Sequence, residues 1–142
     1  MPVDDIDFPR VKTGSDKVEK YKELIESEWS PFLGYDYWQV FIFSMSYAYA
    51  KKYSPKTVPG GAGNMPASVF KTNTRDLMRA LAVVHTDELN IIKDSRDYVK
   101  ICEEFAYAGF DELYKIIINS PPTERKEDIL MNIIKGISED RD

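Results

Sequence analysis

Apolar residues recur along most of this chain at the three-and-four spacing of a single helical face. The first stripe is Val18, Tyr21, Leu24, Ile25 and Trp29. Ser15 or Asp16 stands where a helix cap is wanted, Asp16 and Glu19 have capping-box spacing, and Ser30-Pro31 closes the segment. Asp36 then caps a second helix, Tyr37 to about Tyr53, in which Trp38, Val40, Phe41, Ile42, Phe43, Met45, Tyr47, Ala48 and Tyr49 are apolar around most of the circumference. Such a helix belongs in the middle of a bundle. Periodicity returns after Thr72, Asn73 or Thr74, with Leu77, Met78, Leu81, Val84 and His85 on one face. Thr86 opens another short helix, with Asp87 and Glu88 at its positive end. Asp94 or Ser95 caps the next, whose stripe is Tyr98, Ile101, Cys102, Phe105 and Ala108, and Gly109 takes the left-handed position that ends it. One more helix covers Asp111 to Asn119, and Pro121-Pro122 punctuates it. Thr123 caps the last, with Ile129, Leu130, Ile133, Ile134 and Ile137 on its face, expected to pack on the aromatic second helix within one chain.

The pattern predicts an all-α, single-domain irregular bundle of about six to seven helices. Residues 1–14 form an irregular lead-in and 15–138 the helical domain. Within the helical domain lies one departure, a Gly- and Pro-containing loop at 54–73 whose Val69-Phe70 end docks on the core. A loop of that length in a compact domain is usually functional or disordered.

Composition agrees with a folded core, since 43% hydrophobic and 13% aromatic residues are too many for a disordered chain. The apolar run from Phe32 to Ala50 contains Gly34, Asp36, Gln39, Ser44 and Ser46. It is therefore a core helix and not one of the roughly 20 apolar residues that span a bilayer. Met1–Asp7 is acidic and lacks a signal-peptide pattern, and the single cysteine excludes an intramolecular disulfide or a CxxC site. The expectation is a cytoplasmic protein that does not engage a membrane.

Catalytic motifs are absent. His85 is the only histidine, so no HExxH metal site exists, and His85-Thr86-Asp87-Glu88 reads as a helix end with its cap. Cys102 sits mid-stripe between Ile101 and Phe105, as a small buried hydrophobe does. Gly60-Gly61-Ala62-Gly63-Asn64 lacks the preceding strand and the following Gly-Lys-Ser/Thr of a phosphate loop. Glu103-Glu104 and Asp111-Glu112 diverge on a helix, as neighbours do. No metal, no cofactor and no catalytic residue is assigned.

Charge is less evenly spread. The chain totals −5, yet Tyr47 to His85 carries +5 and the rest −10. The positive residues are Lys51, Lys52, Lys56, Lys71, Arg75 and Arg79, against Asp76 alone. If the helices before and after the loop are antiparallel neighbours, these six flank one end of the bundle as a seat for phosphates or an acidic partner, and the glycines let the loop conform to a ligand.

Three blocks stand in a familiar order: Asp36-Tyr37 through Val40-Phe41, Met45 and Ala48-Tyr49-Ala50; Asp76-Leu77 to Asp87-Glu88-Leu89; and Glu103-Glu104-Phe105-Ala106-Tyr107-Ala108-Gly109-Phe110. Over roughly residues 30 to 118 the chain resembles the small prokaryotic proteins encoded beside DNA phosphorothioation (Dnd) clusters, with Phe105 where that family tends to have tyrosine. The resemblance implies a setting near DNA modification or its associated restriction. It brings no reaction and no active-site residues. The first reading is a non-enzymatic accessory protein working by contact with a protein or with DNA, a monomer in preference to a symmetric dimer formed through the last helix. The second is a nucleic-acid-binding module using the basic 51–79 segment, and the third an enzyme with an unrecognised site.

Overall fold

The computed structural model describes residues 8–121 and 123–139. The acidic Met1–Asp7 stretch and Pro122 lie outside the described residues. Five α-helices follow in order: α1 Val18–Glu26, α2 Tyr37–Ala50, α3 Thr72–Thr86, α4 Ser95–Ile118 and α5 Lys126–Glu139. Two short 3₁₀ turns, Ala67–Val69 and Leu89–Lys93, precede α3 and α4. Among the described residues there is no strand, only an isolated antiparallel bridge from Val11 to Met65.

The all-α architecture holds, with fewer helices than the six to seven expected, for two local reasons. The segments expected on either side of Gly109 are one continuous helix, α4. Gly109 does not have a positive φ; it lies mid-helix where α4 crosses α2, and a Cβ there would stand 2.1 Å from the Ser44 carbonyl oxygen and 2.9 Å from Ala48 Cβ. The glycine serves close helix approach and terminates nothing. Thr86 likewise ends α3 instead of opening a helix. Its hydroxyl donates back to Ala82 O, and Asp87 adopts the left-handed cap conformation at φ 58°. Asp87 and Glu88 are therefore at the negative end of a helix, and the short segment that follows is the 3₁₀ turn.

The helix starts are mixed. Asp36 and Gln39 begin α2 as a capping box, with the Asp36 N–H donating to Gln39 Oε1 at 2.8 Å. Asp94 accepts the Arg96 N–H at 2.9 Å at the start of α4. At α1, by contrast, Lys17 holds the cap position without a side-chain bond, and Asp16 instead accepts the Tyr107 hydroxyl at 2.7 Å. Lys17, buried, reaches Asp111, so this corner ties α1 to α4. The last helix starts at Lys126, three residues beyond Thr123.

The core is built on α2 packed against α4. Val40, Phe41, Met45 and Ala48 from α2 meet Tyr98, Val99, Cys102, Phe105, Phe110 and Leu113 from α4, all buried. Tyr21 of α1 stacks on Phe110 with ring centroids 4.2 Å apart. The face of α3 is turned by one position from the expected stripe: Met78, Leu81 and Ala82 are buried, while Leu77 and Val84 are exposed. Ile129 and Ile133 of α5 enter the same core, and Ile134 and Ile137 form an apolar groove of about 480 Å³ with Trp38, Ile42 and Phe43 of α2. Cys102 is fully buried, and its thiol donates to Met78 O at 3.4 Å. No helix among the described residues is long and apolar enough to cross a membrane.

The irregular residues 8–13 are integral to this core. Phe8 and Val11 are buried, Phe8 lies against Phe70 and Tyr98, and Val11 pairs with Met65. The Gly/Pro loop is thereby held between the lead-in and α4, with Met65 and Phe70 buried at its docked end.

Candidate functional site

The six basic residues between 51 and 79 do not share one end of the bundle. Phe70, just before α3, touches Trp38 and Phe41 at the start of α2, whereas His85, at the end of α3, lines a cavity with Tyr49 and Lys52 at the end of α2. The two helices thus run in the same sense, and the connecting loop carries the chain back over the molecule. Lys51 and Lys52 are separated from Lys71 and Arg75 by the length of α2, about 21 Å at 1.5 Å per residue.

The two arginines are committed to the fold. Arg75 lies over the Phe8 ring at 3.9 Å, donates from Nε to Phe70 O at 2.6 Å and from Nη2 to Ala67 O at 2.8 Å. It clamps the 3₁₀ turn to the lead-in. Arg79 pairs with Asp76 at 2.7 Å and covers the Tyr98 ring. Lys71 is the exposed residue before α3, Lys51 the half-buried cap of α2, and Lys52 follows with φ 63°, exposed.

Lys56 leads elsewhere. Its backbone N–H donates to Glu104 O at 3.1 Å, pinning the loop across α4. Beside this crossing, the lead-in, the glycine loop and the first half of α4 enclose a cleft of about 400 Å³. Four cations line it: Arg10 and Lys12 from the lead-in, Arg96 and Lys100 from α4. Arg96 pairs with Asp94, and the Arg10 Nε donates to Gly63 O at 3.0 Å. A Cβ at Gly63 would meet the Arg10 carbonyl at 2.5 Å, and one at Gly60, where φ is 103°, would meet Ser15. Those two glycines therefore let the loop lie against the lead-in, and only Gly61 faces open space in the cleft.

Glu103 and Glu104 complete the lining. Glu103 is buried, with Oε2 accepting the Lys12 N–H at 2.9 Å. Burial pushes its carboxyl up to about 7, against the pull of the Lys12 amide. At neutral pH the Glu103 carboxyl is therefore partly protonated.

The sign of the linked stability effect follows. A carboxyl raised from 4.5 to about 7 on folding makes the folded state bind the extra proton. Stability falls as pH rises from the lower value through the higher one. Glu103→Gln, which can still accept from Lys12, should be more stable than the parent by up to about 3 kcal/mol near pH 8. Near pH 5 the two should differ little, because the parent carboxyl is then protonated. Urea unfolding at both pH values measures this, and equal stabilities near pH 8 would refute the assignment.

The cleft is not legible in the sequence because its cations come from two distant segments, each mixed with acids. The one local signal was Arg96 and Lys100 at i,i+4 spacing. Among the described residues no group of three or more His, Cys, Asp or Glu side chains is arranged to hold a metal.

Comparison with known proteins adds a family. The model of the DNA sulphur modification system-associated protein 4 family matches residues 10–142. Neither a curated protein nor a solved structure matches the chain.

Proposed function

Because the chain belongs to the DNA sulphur modification system-associated protein 4 family, we propose that it is a non-enzymatic accessory protein of such a system that holds DNA by its phosphate backbone. The observation that carries this reading is the cleft of Arg10, Lys12, Arg96 and Lys100 at the edge of α4. Lysine and arginine bind phosphates without regard to sequence, and cations spaced along a groove follow a backbone. Arg75 and Arg79 have no part in this cleft.

Binding of this kind is salt-dependent. A plot of log affinity against log salt for a duplex oligonucleotide is expected to have a slope of about −3, for three or four phosphates engaged. Arg10→Glu with Lys100→Glu, both at exposed positions, should weaken binding by about tenfold or more at low salt. Fluorescence anisotropy on the variant, shown to be folded by circular dichroism, makes the measurement. Absence of binding at low salt, or equal binding by the variant, would overturn the reading. Contact with a protein of the same system is the second reading, favoured by the apolar groove between α2 and α5.

A further inference from the structure

The Lys56–Glu104 backbone bond separates the basic cleft from a second, larger cavity on the other side of the crossing. That cavity has a volume of about 750 Å³ and is lined by Tyr49, Lys52, Tyr53, Ser54, His85 and Phe105, with Ala50 and Pro55. Phe105 is buried, while Tyr49 and His85 are exposed. The His85 ring stands at 89° to Phe105 with centroids 4.9 Å apart, and the Tyr49 ring at 73° and 5.8 Å. Two accessible rings therefore stand edge-on around a third, and the core gains nothing from the exposed faces of His85 and Tyr49. Planar faces of this kind suit a flat ring or a cation. Lys52 in the same lining disfavours a cation and suits an anion attached to the ring.

The neighbouring cleft supplies the connection. Glu104 lines the cleft and Phe105, the next residue, lines the aromatic cavity. Along α4, Lys100 and Phe105 are about 7.5 Å apart. A strand with phosphates at Lys100 and Lys12 that passes Lys56 would arrive at Lys52 and the rings. We propose that the aromatic cavity takes an unpaired nucleobase of the DNA whose backbone lies in the basic cleft, stacked on Tyr49 or His85, so that the protein prefers a single strand to a duplex. This rests on the DNA-contact reading of the cleft. Every base has a π-face, so the preference is for unpairedness and not for sequence.

The test uses the full chain and a short oligonucleotide carrying one 2-aminopurine, single-stranded or in the matching duplex. The single strand is expected to bind about tenfold more tightly than the duplex, the effect of about one stacked base. The 2-aminopurine emission should change on binding. Tyr49→Leu with His85→Ala, both at exposed positions, should remove the strand preference and the emission change and leave duplex affinity as it was. Equal binding of the two DNAs by the parent protein overturns the proposal while the cleft reading stands. So does a strand preference that survives in the double variant. If neither DNA binds at low salt, the cleft reading falls and the base site falls with it.

Discussion

Gly109→Ala is expected to destabilise the protein by at least about 3 kcal/mol, near the upper end of what overpacking usually costs. The added methyl would stand 2.1 Å from the Ser44 carbonyl oxygen, an atom of the α2 backbone and not the tip of a movable side chain. Ala48 Cβ, at 2.9 Å, closes the other escape. Relief requires α2 and α4 to move apart at the contact on which most of the core is built. The melting temperature followed by circular dichroism should fall by about 10 °C for a chain of this size. The magnitude also separates two mechanisms. A glycine in a left-handed helix-ending position loses only about 1 kcal/mol on replacement by alanine, from backbone strain. A drop of one or two degrees would therefore mean that the helices do not approach so closely.

Arg75→Ala should cost about 2–4 kcal/mol in urea unfolding. The Phe70 and Ala67 carbonyls each lose a charged donor, and the Phe8 ring loses the cation above it. Arg75→Lys should recover little of the loss, because a single ammonium cannot reproduce the forked donation to two carbonyls while covering the ring. A full recovery by lysine would show that charge alone matters there. The same geometry makes a charge reversal at Arg75 and Arg79 a poor probe of DNA binding, since it disturbs the fold first. Arg10 and Lys100, at exposed positions, suit that purpose better.

The helical character was legible because each of α1, α2, α4 and α5 sends apolar residues at helical spacing into the core, and Asp36 and Asp94 are local signals with local partners. Trp29, however, lies beyond the end of α1 and, like Ile134, is exposed. What the sequence hid depends on residues far away in the chain. Nothing near Gly109 reveals that Ser44, 65 positions earlier, will lie against it, so a helix interior has the local pattern of a helix end. In α3 both candidate faces are apolar, and the tertiary packing that buries Ala82 and leaves Leu77 and Val84 exposed decides between them. The basic segment was legible as composition but not as a surface, because that needs the relative direction of α2 and α3. The cleft was hidden for the complementary reason. Arg10 and Lys100 are 90 positions apart and are brought together by Phe8, Val11 and the Lys12–Glu103 bond. In both places the deciding contact was tertiary.

The burial of Cys102 sets how the molecule responds to thiol reagents. Its sulfur is fully enclosed between α3 and α4, and burial drives the thiol away from the reactive thiolate form. A reagent in solution reaches it only when that seam parts. Alkylation of the native protein therefore proceeds at the pace of core opening, and the one cysteine acts as a clock for the least frequent motions of the fold. A cysteine introduced at an exposed cleft position such as Lys100 would react on an entirely different timescale. One labelling reaction could then place a probe in the cleft while leaving the native thiol untouched.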